Sequence, residues 1–267
     1  MTRTVLTFVG RVADHNDRGM AGSRLVGRAL ADRLGLEWRV AGVPEPADPG
    51  SWEADLTAAT PGLLELQAAH DEVLADEQPA LITLPRCAAS LATLPNLAGA
   101  RPDAAVVWID AHADLNTPVS TPTGYLGGMV LSAAAGWWDS GLGAGLDAHN
   151  ILLVGTRDFD PFERTLADNG VIKLASGPSM LEALDDLVGA RPIYVHLDCD
   201  VLEPGIVPTD YLVPDGLSLA DLNAVALRLA SNEVVGVEIA EFESPADPAD
   251  AMGCIAPLLD ALDPLFG

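Results

Sequence analysis

Apolar positions recur along this chain in two rhythms. Short, near-continuous apolar runs occur at VLTFVG (5–10), EWRVAG (37–42), LITL (81–84), AVVWID (105–110), ILLVGT (151–156), VIKLA (171–175), IYVHLD (193–198) and VVGVEIA (234–240). Between several of them lie longer stretches with helical spacing: SRLVGRALADRLG, PGLLELQAAHDEVLADE, SMLEALDDLVGA and SLADLNAVALRLAS. Runs without polar alternation suit strands buried on both faces, and the periodic stretches suit crossover helices. The pattern therefore predicts an α/β fold whose eight runs form one parallel sheet covered on both faces. Sites in such sheets form outside the carboxyl ends of the strands. Turn residues crowd 115–126, which predicts a loop there. No internal repeat, low-complexity segment or linker interrupts the pattern, so a single domain over 1–267 is expected.

Two of the runs end in the same way. WIDAHADLN (108–116) places Asp110, His112 and Asp114 at alternate positions, and IYVHLDCD (193–200) does the same with Asp198 and Asp200. Side chains two apart on extended backbone share a face, so each set can converge just past its strand. One Asp-x-Asp after a strand is ordinarily a cap or turn device. Two such clusters at two strand ends point instead to a metal centre. Four carboxylates and one imidazole are too many for a closed zinc site and suit hard divalent ions such as Mn²⁺. A carboxylate shared by two ions neutralises both, and such a site can hold and activate a water. Cys199, between the two aspartates, should point the other way into the core. His196 shares the face of Asp198 one step deeper and reads as a buried, hydrogen-bonded residue. His15, His70 and His149 stand in no recognisable context.

Composition narrows the partners. The 267 residues are 49% hydrophobic, enough for a large core. The formal charge of −25 comes from 39 acidic against 14 basic residues and repels phosphate backbones and anionic membrane surfaces. Nucleic acid and membrane are thus not expected as partners. Cationic substrates and divalent metals are favoured, although solubility alone explains much acidity. The first residues turn polar after one short apolar run, and no apolar stretch approaches the ~18–20 residues of a membrane span. A soluble, cytoplasmic protein is expected. The three cysteines, Cys87, Cys199 and Cys254, lack framework spacing and read as reduced thiols.

Beyond residue 80 the motifs resemble the ureohydrolases, the family of arginase and agmatinase. DAHADLNTP (110–118) is similar to the family's DAH-x-D motif, HLDCDVLEP (196–204) to its S-x-D-x-D-x-x-D-P motif, and VEIAEFESP (237–245) to the segment carrying a guanidinium-binding glutamate. The resemblance implies a three-layer, arginase-like α/β domain around an eight-stranded parallel sheet, and a centre of two Mn²⁺. It gives Asp110 and Asp198 as bridging ligands, His112 and Asp200 as completing one metal, and Asp114 as binding the other. It further implies attack on the guanidinium carbon by a hydroxide held between the metals, with Asp114 helping a proton to the leaving amine and Glu241 pairing with the guanidinium. The pairing is chemically sound, since a planar cation invites a carboxylate. GTRDFDPFE (155–163) is similar to the arginase segment whose acids contact a substrate α-amino group, here Asp160 and Glu163. Asn116 and Thr123 match positions near the α-carboxylate. Together these favour an arginine-like amino acid over agmatine. The alternative for these four residues is ordinary turn chemistry. Family members often form trimers or hexamers, so a homo-oligomer is compatible, but no sequence feature fixes an interface.

Two positions depart from the family. Its Gly-Gly-Asp-His motif, whose His binds a metal, is replaced by ITLPRCAAS (82–90), and the ungapped count back from Asp110 puts Cys87 at the ligand position. A thiolate can ligate, but it suits Mn²⁺ less well than imidazole; otherwise Cys87 is a small buried hydrophobe. In GYLGGMV (124–130), Gly127 stands where arginases place a proton-shuttling His, and glycine can do no acid–base work. An unmodified guanidinium stays charged and would suffer from that loss. An N-hydroxyguanidine is less basic and a better electrophile when neutral. Space at Gly127 is expected to admit its hydroxyl, with Tyr125, in place of a small polar residue, reshaping the pocket. These departures resemble a branch of the family that acts on Nω-hydroxy-L-arginine in D-cycloserine biosynthesis and releases hydroxyurea and ornithine. The rival readings are an ordinary arginase or other guanidino-acid hydrolase, and a non-catalytic relative that kept the fold.

Overall fold

A computed structural model of the chain describes residues 3–75 and 78–267. Every apolar run contains a strand. These are β1 (Thr4–Phe8), β2 (Glu37–Ala41), β3 (Ala80–Thr83), β4 (Ala105–Ile109), β5 (Ile151–Val154), β6 (Lys173–Ala175), β7 (Ile193–Asp198) and β8 (Val234–Ala240). They form one eight-stranded sheet in the order β2-β1-β3-β8-β7-β4-β5-β6. All neighbouring strands run parallel.

The absence of polar alternation has the expected cause. Along β4, Val106 and Trp108 enter one apolar core, while Ala105, Val107 and Ile109 enter the other. Helices α1 (Arg18–Leu34), α6 (Met180–Val188), α7 (Leu219–Leu229) and α8 (Ala251–Leu262) cover the second core. Helices α2 (Trp52–Leu74), α3 (Ser90–Ala100) and α4 (Val130–Ala134) cover the first. Helix α5 (Pro161–Asp168) adds partly buried residues to that first layer. Sheet and helices therefore make three layers.

The periodic segments anticipated α1, α6, α7 and the second half of α2, whose last two predicted positions, 76 and 77, lie outside the described residues. Periodicity did not reveal α3 and α8. Each carries an interior proline, Pro95 or Pro257, and Pro61 likewise hides the first half of α2. An interior proline removes one helical hydrogen bond and costs on the order of 3 kcal/mol. Packing of the apolar face overrides that cost here. The stretch 115–126 is free of helix and strand, as its turn residues predict. Among the described residues no helix is long and apolar enough to cross a membrane.

Registers bring the carboxyl ends of the central strands level. Ile109 pairs with Leu197, Leu197 with Ile239, and Thr83 with Ile239. Whatever follows these strands emerges along one edge.

Candidate metal centre and substrate cavity

The four central strands, β3, β8, β7 and β4, each deliver part of one site at that edge. Asp110 directly follows β4, Asp198 closes β7, Glu241 directly follows β8, and Cys87 begins a short helical turn after β3. A cavity of about 210 Å³ opens above them. Its wall includes Cys87, His112, Asp114, Asn116, Thr123, Tyr125, Gly127, Asp160, Glu163, Asp198, Asp200 and Glu241. Of the residues assigned to the site from the sequence, Asp110 alone lies beneath the wall, fully buried.

Two sets of donor atoms cluster at the floor. Cys87, Asp110 and Asp198 bring one donor each within 4.8 Å of one another, and so do Asp110, His112 and Asp200. Asp110 belongs to both sets. Asp114 lines the cavity beside them, outside both sets. The individual bonds are short. Cys87 Sγ donates to Asp198 Oδ2 at 3.0 Å. His112 Nδ1 lies 3.1 Å from Asp200 Oδ2 and 3.4 Å from Asp110 Oδ1. The backbone aims the acids: His112 N–H donates to Asp110 at 2.7 Å and Asp200 N–H to Asp198 at 2.7 Å.

The charge balance is what a cation site requires. Burial, reinforced by neighbouring carboxylates, pushes Asp114 and Asp198 well above the usual carboxyl range and Asp200 up to about 6. Burial alone would lower His112, but hydrogen bonds and charge from Asp110 and Asp200 outweigh it and raise its pKa strongly. Burial and the charge of Asp198 push the Cys87 thiol upward. Divalent cations would relieve this repulsion and favour the ionised forms. The donor sets fit a pair of ions, one with oxygen and imidazole ligands, the other with oxygen ligands and one thiolate.

Beneath the floor, Trp108 Nε1 donates to Asp110 at 2.9 Å and the indole stacks on the His196 ring at 3.5 Å and 5°. His196 Nδ1 is 2.8 Å from Glu238, its Nε2 is 3.2 Å from Cys87 Sγ, and Tyr194 donates to Glu238 at 2.8 Å. His196 is thus the buried, hydrogen-bonded residue expected, and it backs the thiol. Cys199 is in the core, also as expected.

On the upper wall, turn chemistry and cavity lining coincide. Asn116 donates to Asp160 at 2.7 Å. Glu163 accepts from the Leu115 and Asp160 backbones at 2.9 and 3.0 Å, which fixes the start of α5. The Thr123 hydroxyl accepts from Tyr125 N–H at 3.2 Å.

One expectation requires correction. Gly127 lines the cavity, but the space its missing side chain would take is not open. A Cβ built there would meet Tyr125 Cε1 at 2.4 Å, because the Tyr125 ring fills that volume. Two backbone strains also mark the site: Asp114 and Glu241 adopt φ of 50° and 62°. The left-handed region costs a residue with a Cβ roughly 1–2 kcal/mol, so surrounding bonds must hold it. Glu241 accepts Cys87 N–H at 2.8 Å and Arg86 Nη1–H at 2.9 Å.

Several residues here escaped sequence reasoning. Thr121, Gly128, Asp158 and Tyr211 also line the cavity. The Tyr211 ring meets His112 edge-on at 5.4 Å. His15, bonded to Asp210 at 2.8 Å, lies 5.0 Å from the Tyr125 ring. Apart from Gly128, in the short helical turn Gly127–Met129, all come from aperiodic loops. Arg86 did carry a signal: a charged residue inside the apolar run ITLPRCAAS.

The model of the arginase family matches residues 80–258. The chain belongs to the arginase family. This arginase-family chain is 42% identical to the Nω-hydroxy-L-arginine amidinohydrolase of Streptomyces lavendulae, over 96% of this chain and 94% of that one. Its fold is shared with an arginase from Bacillus cereus (TM-score 0.83, 22% identity, 99% of this chain and 97% of that one). It is also shared with the Entamoeba histolytica arginase solved with L-ornithine (TM-score 0.82, 21% identity, 97% of each chain).

Proposed function

We propose that this arginase-family hydrolase cleaves the guanidino C–N bond of Nω-hydroxy-L-arginine, giving hydroxyurea and L-ornithine in an antibiotic-producing pathway. The observation that carries the reading is the pair of donor sets sharing Asp110 on the floor of a cavity whose wall bears Glu241. The likeness to the Streptomyces lavendulae amidinohydrolase supports the N-hydroxy preference. In this reading Cys87, Asp110, His112, Asp114, Asp198 and Asp200 hold two Mn²⁺. Bound there, the ions would neutralise the acids and supply an activated water.

The chain's own groups do the rest. Glu241 accepts guanidino N–H bonds and fixes the plane of the group beside the floor. Asn116 and Thr123 receive the α-carboxylate, and Asp160 and Glu163 the α-amino group. Tyr125, standing in the space over Gly127, closes the side where the hydroxyl lies. The new C–O bond forms as the bond from carbon to the ornithine nitrogen breaks. Asp114, on the cavity wall beside the floor, accepts the proton given up by the water as the C–O bond forms and passes it to the departing amine.

The test is a product assay with Mn²⁺-loaded protein offered L-arginine and Nω-hydroxy-L-arginine in parallel. The reading expects hydroxyurea and ornithine with little urea. Efficient urea release from arginine would make it an ordinary arginase, and turnover of neither would refute the enzymatic reading.

A further inference from the structure

We infer that Arg86 sets substrate charge specificity by pre-occupying the carboxylate of Glu241; this rests on the function proposed above. Arg86 is fully buried. Its guanidinium is spread over three carboxylates: Nε donates to Asp14 at 2.9 Å, Nη1 to Glu241 at 2.9 Å and Nη2 to Glu243 at 3.0 Å. Glu243 has a second cation in Arg18, and Asp210, 3.8 Å from Arg86, is paired with His15. Asp14 and Glu241 therefore share the charge of Arg86. The other oxygen of Glu241 already accepts the Cys87 N–H.

The carboxylate assigned to the substrate thus carries an internal guanidinium before any substrate arrives. A cationic guanidinium entering the cavity would meet a carboxylate whose charge Arg86 already partly balances, with a like charge behind it. Like charges juxtaposed at low dielectric are strongly disfavoured. A neutral N-hydroxyguanidine pays no such penalty. Its N–H groups still find the unused lone pairs of Glu241. Arg86 touches no substrate in this arrangement; it acts through Glu241 as a specificity-determining residue. Gly22 of α1 supports the arrangement, since a Cβ there would meet the Phe242 carbonyl oxygen at 1.8 Å. The helix is pressed against the segment that bears Glu241 and Glu243.

The experiment compares wild type, Arg86→Lys, Arg86→Met, and Arg86→Met combined with Asp14→Asn and Glu243→Gln. The triple variant removes the two other carboxylates that would lose their partner. For each metal-loaded protein, kcat/KM is measured for L-arginine and Nω-hydroxy-L-arginine. The ratio favouring the hydroxylated substrate should fall about tenfold or more in the Met variants, chiefly through KM for arginine, and hold in Arg86→Lys. Equal losses on both substrates would reduce Arg86 to a structural staple and overturn the inference. A measurement on wild type alone guards against variants that do not fold. Calorimetry should show L-arginine binding no tighter than neutral L-citrulline, and an advantage of about tenfold for arginine would also overturn it. Failure of wild type to hydrolyse either substrate would instead count against the proposed function, while the arginine–citrulline comparison would still judge Arg86.

Discussion

Substitution of Gly127 by alanine probes the packing that replaces a side chain in this cavity. A Cβ at 127 would lie 2.4 Å from Tyr125 Cε1, 3.1 Å from Cζ and 3.2 Å from Cδ1. Carbon atoms rest at about 3.5–4.0 Å, so the ring must retreat by roughly 1 Å or more. His15 at 5.0 Å and Tyr211 at 5.9 Å between ring centres flank it elsewhere, so the ring retreats toward the cavity it lines. Overpacking of this kind costs about 1–3 kcal/mol. Gly127 does not have positive φ, so alanine meets no backbone strain and regains about 0.4–1 kcal/mol by restricting the unfolded chain. Gly127→Ala should therefore destabilise wild type by up to about 2.5 kcal/mol. In a Tyr125→Ser background the same change should become neutral or stabilising. Denaturant unfolding of the four proteins in this double-mutant cycle gives the coupling directly, expected at about 1–3 kcal/mol. Coupling near zero would mean that the ring does not fill the space over Gly127. It would also undo the assignment of Tyr125 to the pocket wall.

Metal content should follow the shared ligand: Asp110→Ala should lose both ions and Cys87→Ser only one, read by elemental analysis of purified protein. Removing metal with chelator should lower stability, and restoring it at a hundred times its dissociation constant should return about 2.7 kcal/mol, visible as a higher Tm. Asp14 predicts a pH effect on the metal-free protein. Burial raises its pKa to about 6, above the unfolded value near 3.8, so the folded state binds the extra proton between those values. Stability from this group is present at low pH and lost as pH rises from about 4 to 6, on the order of 1–3 kcal/mol, and urea melts of wild type against Asp14→Asn would show it. Tyr194→Phe should cost about 1–3 kcal/mol, because it strips Glu238 of a 2.8 Å bond in a fully buried network, and should leave the number of bound ions unchanged.

What the sequence determined was local and periodic. Continuous apolar runs mark strands buried on both faces, and that property alone gives eight parallel strands and a three-layer fold. Alternating acids at two strand ends point to a metal centre, although the backbone that gathers them is not extended: Asp200 sits in a short helical turn and Asp114 at positive φ. Proline hid α3 and α8, since their stability comes from tertiary packing and not from local preference. Tertiary structure alone decided what fills the space at Gly127, because the ring of Tyr125 is placed by its packing against His15 and Tyr211. It also decided that Glu241 meets Arg86, a residue 155 positions away in sequence. Strand order brings β3 beside β8, and that adjacency turns a lone arginine in an apolar run into the partner of the substrate carboxylate. Periodicity reports which face of an element is buried; only the closed fold determines which charges face each other there.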